Sequence, residues 1–111
     1  MILPDFIRAF PAADLPVPPE KVSSHAMRCE QGLAIFFTFH EAVSLPPHSH
    51  GAQWGTVLDG EIVLTRNGDT EVFGPGQSYA IGAGVVHSAR VAAGSVVLDI
   101  FEEADRYPLG A

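Results

Sequence analysis

Residues 54–65 read WGTVLDGEIVLT. Two apolar runs, WGTVL (54–58) and EIVLT (61–65), flank the pair Asp59-Gly60. An Asp-Gly pair between such runs is the strongest short hairpin signal, because glycine reaches the positive φ that a tight primed turn requires. The segment is therefore expected to be two strands joined by a hairpin.

The same period extends outward in both directions. In LAIFFTFH (33–40), Leu33, Ile35, Phe37 and Phe39 share one face, and Ala34, Phe36, Thr38 and His40 share the other. Downstream, the turn Arg66-Asn67-Gly68-Asp69 leads into TEVF, and Gly74-Pro75-Gly76 precedes SYAI. Gly82-Ala83-Gly84 precedes VVHSARV, and Ala93-Gly94 precedes SVVLDIF (95–101). Only Glu102–Tyr107 suits a helical turn. The pattern gives about eight short strands and no long helix. The chain is all-β, either a sandwich or a small barrel.

Composition narrows the function classes. With 111 residues the chain is one domain, and 47% hydrophobic against 17% charged residues is enough to bury a core. Six Lys and Arg against 13 Asp and Glu leave a net charge of −7, and Lys21 is the single lysine. Such a chain has no basic patch for phosphates, so nucleic acid and anionic membrane surfaces are not expected partners. No apolar run approaches the about 18 residues of a membrane-spanning helix. Pro4, Asp5, Arg8 and Pro11 interrupt any signal-like stretch at the start. One cysteine, Cys29, forms no internal disulfide; a reducing cytoplasm is the expected location, with Cys29 as a small core filler.

Residues 1–20 read as an arm. Pro4, Pro11, Pro16, Pro18 and Pro19 disfavour a regular helix, while Ile2, Leu3, Phe6, Ile7 and Phe10 still need burial. The arm is expected to lie across its own domain or a partner's sheet. The domain itself takes residues 21–107, with a tail at 108–111.

His48-Ser49-His50 is the first chemical feature. Two histidines at i and i+2 on extended chain face the same side and can converge on one metal ion. An exposed, solvated pair after Pro46-Pro47 is the alternative. His87 is the second feature. It shares a face with Val85, Ala89 and Val91, where a core histidine would also fit. Asp99 is the third. It interrupts the apolar run Val96–Phe101, in phase with Val97 and Phe101. A buried carboxylate there needs a partner or serves as a general base; an outward aspartate is the alternative.

Together, PHSHGAQWGTVLDG (47–60) and GQSYAIGAGVVH (76–87) resemble the two signature motifs of the cupin superfamily. His48 and His50 match the His-x-His pair and Gly60 the closing glycine. Gly76, Gly84 and His87 match the second motif. Ala42 stands in the place of an opening glycine, Gly82 of a proline and Val91 of an asparagine. Gln53 stands for the usual glutamate, one residue early but at the kept distance from Gly60. The resemblance spans about residues 35–101.

It implies a small antiparallel jelly-roll β-barrel (RmlC-like) that acts as a homodimer. It further implies one divalent transition metal (Zn, Ni, Fe, Mn or Cu) held by His48, His50, His87 and Gln53, with open positions. A neutral ligand set leaves such a site at +2 and strengthens its Lewis acidity. Asp99-x-Phe101 also resembles the last strand of small pectin-degradation cupins, with Arg106 near the place of a substrate-gripping arginine. Trp54, Tyr79, Phe101 and Arg106 are the expected substrate contacts, and Asp99 the catalytic group. The expected activity is a metal-dependent isomerase or lyase on a small polar, sugar-acid-like or carbonyl substrate. An Fe(II)-type dioxygenase and a non-catalytic ligand-binding module are the alternatives.

Overall fold

A computed structural model describes residues 1–110; Ala111, the end of the expected tail, lies outside the described residues. One short helix, α1 (Asp5–Arg8), precedes nine strands. These are β1 (Val22–Cys29), β2 (Gly32–Phe39), β3 (Val43–His48), β4 (Gln53–Asp59), β5 (Ile62–Arg66), β6 (Asp69–Phe73), β7 (Ser78–Ile81), β8 (His87–Val91) and β9 (Val96–Phe101). They form a five-stranded sheet in the order β1-β2-β9-β4-β7 and a four-stranded sheet in the order β3-β8-β5-β6. Every pairing is antiparallel.

The expected 54–65 hairpin does not form. β4 pairs with β9 and β7, while β5 pairs with β6 and β8. Asp59-Gly60 instead carries the chain from one sheet to the other. Gly60 has φ +81°, and a Cβ there would lie 2.6 Å from Ser95 Cα. The Ser95 hydroxyl accepts the Glu61 N–H at 3.0 Å and pins the corner. Close approach of β9 therefore overrides the local hairpin preference. The tight hairpin sits at Asn67-Gly68, between paired Arg66 and Asp69, with φ of 50° and 80° as a primed turn demands.

The inward faces of the two sheets make the core. Leu33, Ile35, Phe37 and Phe39 face Ile62, Leu64 and Val91 in one buried cluster. This is the alternation read from 33–40.

The arm lies on its own domain. The Ala26 N–H donates to the Pro11 carbonyl at 2.8 Å, the Ala13 N–H to Ser24 Oγ at 2.9 Å, and Ala13 bridges Leu109. Leu3 is buried. The arm departs from expectation at α1, a single helical turn that begins directly after Pro4, where the fixed proline φ suits helix entry. Glu102–Tyr107 makes turns and no helix. Cys29 is exposed and fills no core position, because the inward phase of β1 ends at Ala26. No helix among the described residues is long and apolar enough to cross a membrane.

Candidate metal centre

Opposed strand ends bring the three histidines together. His48 closes β3 and His87 opens β8, and the two are paired across the four-stranded sheet. His50 follows in the loop to β4, whose Ala52 carbonyl accepts the Glu102 N–H at 2.9 Å. One ring nitrogen from each of His48, His50 and His87 lies within 4.8 Å of the other two. Ring centroids are 4.2 Å apart for His48 and His87, and 4.8 Å for His50 and His87.

Backbone carbonyls set the tautomers. His48 Nδ1 lies 2.8 Å from the Pro46 carbonyl, His50 Nδ1 2.7 Å from that of Gly51, and His87 Nδ1 2.9 Å from that of Val85. A carbonyl only accepts, so each Nδ1 carries the proton and donates it. Each Nε2 is left with its lone pair free, the arrangement that orients metal-ligating histidines. Burial holds His50 below the ordinary imidazole value, and Arg106 and His48 push the same way. His87 is lowered by burial and then by the neighbouring His48 and His50. Neutral imidazoles are the ligating form.

Gln53 lines the same cavity. Its Oε1 is buried and has no hydrogen-bond partner. An orphaned buried acceptor is costly unless something positive meets it. Three imidazole nitrogens and an amide oxygen form a donor set that fits a divalent transition metal. The residues present therefore fit the group implied by the motifs.

Among the described residues, one carboxyl lines this cavity. Asp99 is buried, not outward, and accepts a 2.6 Å hydrogen bond from the Tyr79 hydroxyl. Burial pushes the Asp99 carboxyl up to about 6, against the opposing pull of Tyr79 and the Gln53 amide. Tyr79 is raised by its own burial and then by the Asp99 charge. Both side chains flank Gly55, which is paired with Tyr79 on one side and Asp99 on the other. A Cβ on Gly55 would lie 2.2 Å from Asp99 Oδ1 and 2.4 Å from the Tyr79 ring. Gly55 is thus part of the site, and sequence reasoning missed it. A glycine inside an otherwise regular strand is the signal for such close approach.

Phe101 lines the cavity and packs its ring edge-on against His50 at 5.6 Å. Arg106 stacks on Tyr107 at 4.3 Å and lies 5.9 Å from the Phe101 ring. Its Nε is buried without a partner, and it pairs with neither Glu102 nor Glu103. Trp54 is placed elsewhere. It is 43% exposed on the outer face of β4 and does not line the cavity, because it is out of phase with Gln53 and Gly55.

Two carboxylates after β9 bind the loop between β3 and β4. Glu103 Oε1 accepts the Gly51 N–H at 2.6 Å, and Glu102 Oε2 accepts the Ala52 N–H at 2.5 Å. These carboxylates hold the loop that carries His50. Arg28 in turn donates to the carbonyls of Ala104 and Tyr107 and anchors the same C-terminal segment.

Comparison with known proteins agrees with this architecture. An RmlC-like cupin from Shewanella frigidimarina superposes with a TM-score of 0.75 at 20% identity, over 89% of this chain and 88% of that one. KdgF from Halomonas sp. superposes with a TM-score of 0.69 at 22% identity, over 78% of this chain and 82% of that one. Over 38 residues the chain is 58% identical to the HTH-type transcriptional regulator PuuR of Escherichia coli (strain K12), a stretch that is 34% of this chain. That stretch is 20% of the regulator's own length, so the match spans only about a fifth of that curated relative. The family model described as Cupin domain matches residues 35–101. Motifs, nine-stranded architecture and family match agree, and the chain belongs to the cupin family.

Proposed function

We propose that the protein is a metal-dependent isomerase or lyase acting on a small carbonyl compound. One observation carries the reading. Asp99, the only carboxyl lining the cavity among the described residues, shares it with three converging imidazoles whose Nε2 lone pairs are free. His48, His50, His87 and Gln53 would hold the metal. When bound, it would supply Lewis-acid polarisation of a carbonyl oxygen. Asp99 accepts a proton from the carbon beside that carbonyl while Tyr79 holds Oδ1 in place. The C–H electron pair moves toward the carbonyl. It then returns with the proton at a neighbouring atom, an isomerisation, or expels a β-substituent, an elimination. Arg106 does not line the cavity; from behind Phe101 it adds positive charge near the histidine end, where a substrate carboxylate would sit.

The test is proton exchange. Metal-loaded protein is incubated in D₂O with 2-oxo acids and hydroxyketones, and the α-proton signals are followed by NMR. Exchange with at least one compound, abolished in Asp99→Asn, supports the reading. Ligand binding without exchange contradicts it. The local identity to PuuR favours a second reading for that outcome, a ligand-sensing module without turnover.

We also propose a homodimer formed through the outer face of the five-stranded sheet. Met27, Ala34, Ile100 and Trp54 are successive cross-strand partners in one row on that face. Met27 is 55% exposed, and Trp54 and Ile100 are each 43% exposed. A contiguous apolar row in water is the mark of an interaction surface. Light scattering should give twice the 11.8 kDa chain mass, and Trp54→Lys should halve it. A wild-type monomer contradicts this assembly.

A further inference from the structure

Strand register divides the barrel interior into layers two residues apart, about 7 Å along each strand. His48 and His87 share the top layer with Gln53 and its partner Phe101. One layer down lie Tyr79 and Asp99 on one sheet, and Leu45, Leu64 and Ala89 on the other. The next layer on that second sheet is Val43, Ile62 and Val91. The cavity runs from the histidines down past all six of these aliphatic residues and has a volume of about 100 Å³. Apart from Asp99 and Tyr79, none of the strand residues lining it beyond the histidines and Gln53 is polar.

We infer that the substrate is amphipathic, with its oxygen donors at the histidines and a short apolar tail of a few carbon atoms in the barrel below. This rests on the metal-site reading above and narrows its substrate class. A sugar acid would carry hydroxyls into the aliphatic layers. There each buried hydroxyl would lose its water partners without gaining others, which weakens binding. An aliphatic tail removes its own surface from water and covers that of Leu45, Leu64 and Ile62. The volume includes the histidine end, so the tail is limited to a few carbon atoms; cavities somewhat larger than this, lined by similar residues, stay dry and take up benzene.

The test varies the tail with the head group constant. Protein loaded with Co²⁺ is titrated with glyoxylate, pyruvate, 2-oxobutanoate, 2-oxopentanoate and 4-methyl-2-oxopentanoate, and separately with glucuronate, following the cobalt absorption bands. Affinity should rise about threefold to fourfold with each added methylene until the cavity is full. Glucuronate should bind more weakly than 2-oxopentanoate. Ala89→Leu, which fills the middle layer, should shift the optimum to a shorter tail. Equal affinity along the series, or glucuronate binding best, would overturn the inference while leaving the metal site intact. Failure to take up Co²⁺ would overturn the metal reading instead. The tail site is then judged in metal-free protein, where isobutanol should shift the methyl resonances of Leu45, Leu64 and Ile62. No such shift would overturn it.

Discussion

The Tyr79 hydroxyl reaches Asp99 Oδ1 at 2.6 Å across the bare backbone of Gly55, with which both residues are paired. That length is typical of a hydroxyl bonded to a carboxylate. The pair links a buried acid to a buried phenol at the point where the polar end of the barrel meets its apolar interior. Three strands, β7, β4 and β9, must keep register for it to form.

Gly55→Ala should break this arrangement. The added Cβ would lie 2.2 Å from Asp99 Oδ1 and 2.4 Å from the Tyr79 ring, so at least one of the two must shift and their hydrogen bond is disturbed. Overpacking of this kind costs about 1–3 kcal/mol, and the lost hydrogen bond adds to it. Chemical denaturation should register at least about 2 kcal/mol. A loss under half of that would mean the pair is not confined as described.

Tyr79→Phe isolates the hydrogen bond. It removes one hydroxyl and leaves Asp99 buried without its donor, at a cost of about 1–3 kcal/mol. Asp99→Asn in the same background should cost less than the sum of the two single changes, because the partners act together. Strict additivity in a double-mutant cycle would contradict the pairing.

The pH dependence of metal-free protein follows from Asp99. Its folded-state value, about 6, stands above the unfolded 3.8 because burial disfavours the charged form. Folding therefore favours the protonated carboxyl. The contribution to stability is fully present below about pH 4 and is lost as pH rises through 6. Compared with Asp99→Asn, wild-type protein should lose relative stability between pH 4 and pH 7. Melting curves that stay parallel across this range would contradict it.

The carboxylates after β9 make a separate prediction. Glu103 holds the Gly51 N–H, and the Gly51 carbonyl accepts the His50 Nδ1 proton. Glu103→Ala should leave the ligands in place but loosen the His50 loop. Metal affinity should fall about tenfold, the lower range for outer groups that orient ligands. Unchanged affinity would reduce Glu103 to a surface residue.

Much of the fold was legible in period and punctuation. The 33–40 alternation places its apolar half in the core, and the glycine-rich turns fall between strands. The His-x-His pair and His87 were legible as motifs, and they converge. What was not legible depends on contacts distant in sequence. Asp59-Gly60 carries a local hairpin signal, but Ser95 on β9 decides that it turns a corner between sheets. Trp54 is adjacent to Gln53 in sequence, yet strand alternation sends it to the outer face. Cys29 is small and apolar, but β1 outruns the core before reaching it. The roles of Gly55, Glu102 and Glu103 exist only once β4, β7 and the C-terminal segment meet.

The most direct test of the account is metal content and affinity. Purified untagged protein, analysed for metals and titrated with Zn²⁺ and Co²⁺ after chelation, should bind one ion per chain. The variant His48→Ala/His87→Ala should lose binding by a hundredfold or more (about 3 kcal/mol) while keeping its fold by circular dichroism. Stoichiometric binding that survives the double substitution, or no binding by folded wild-type protein, would contradict the metal centre.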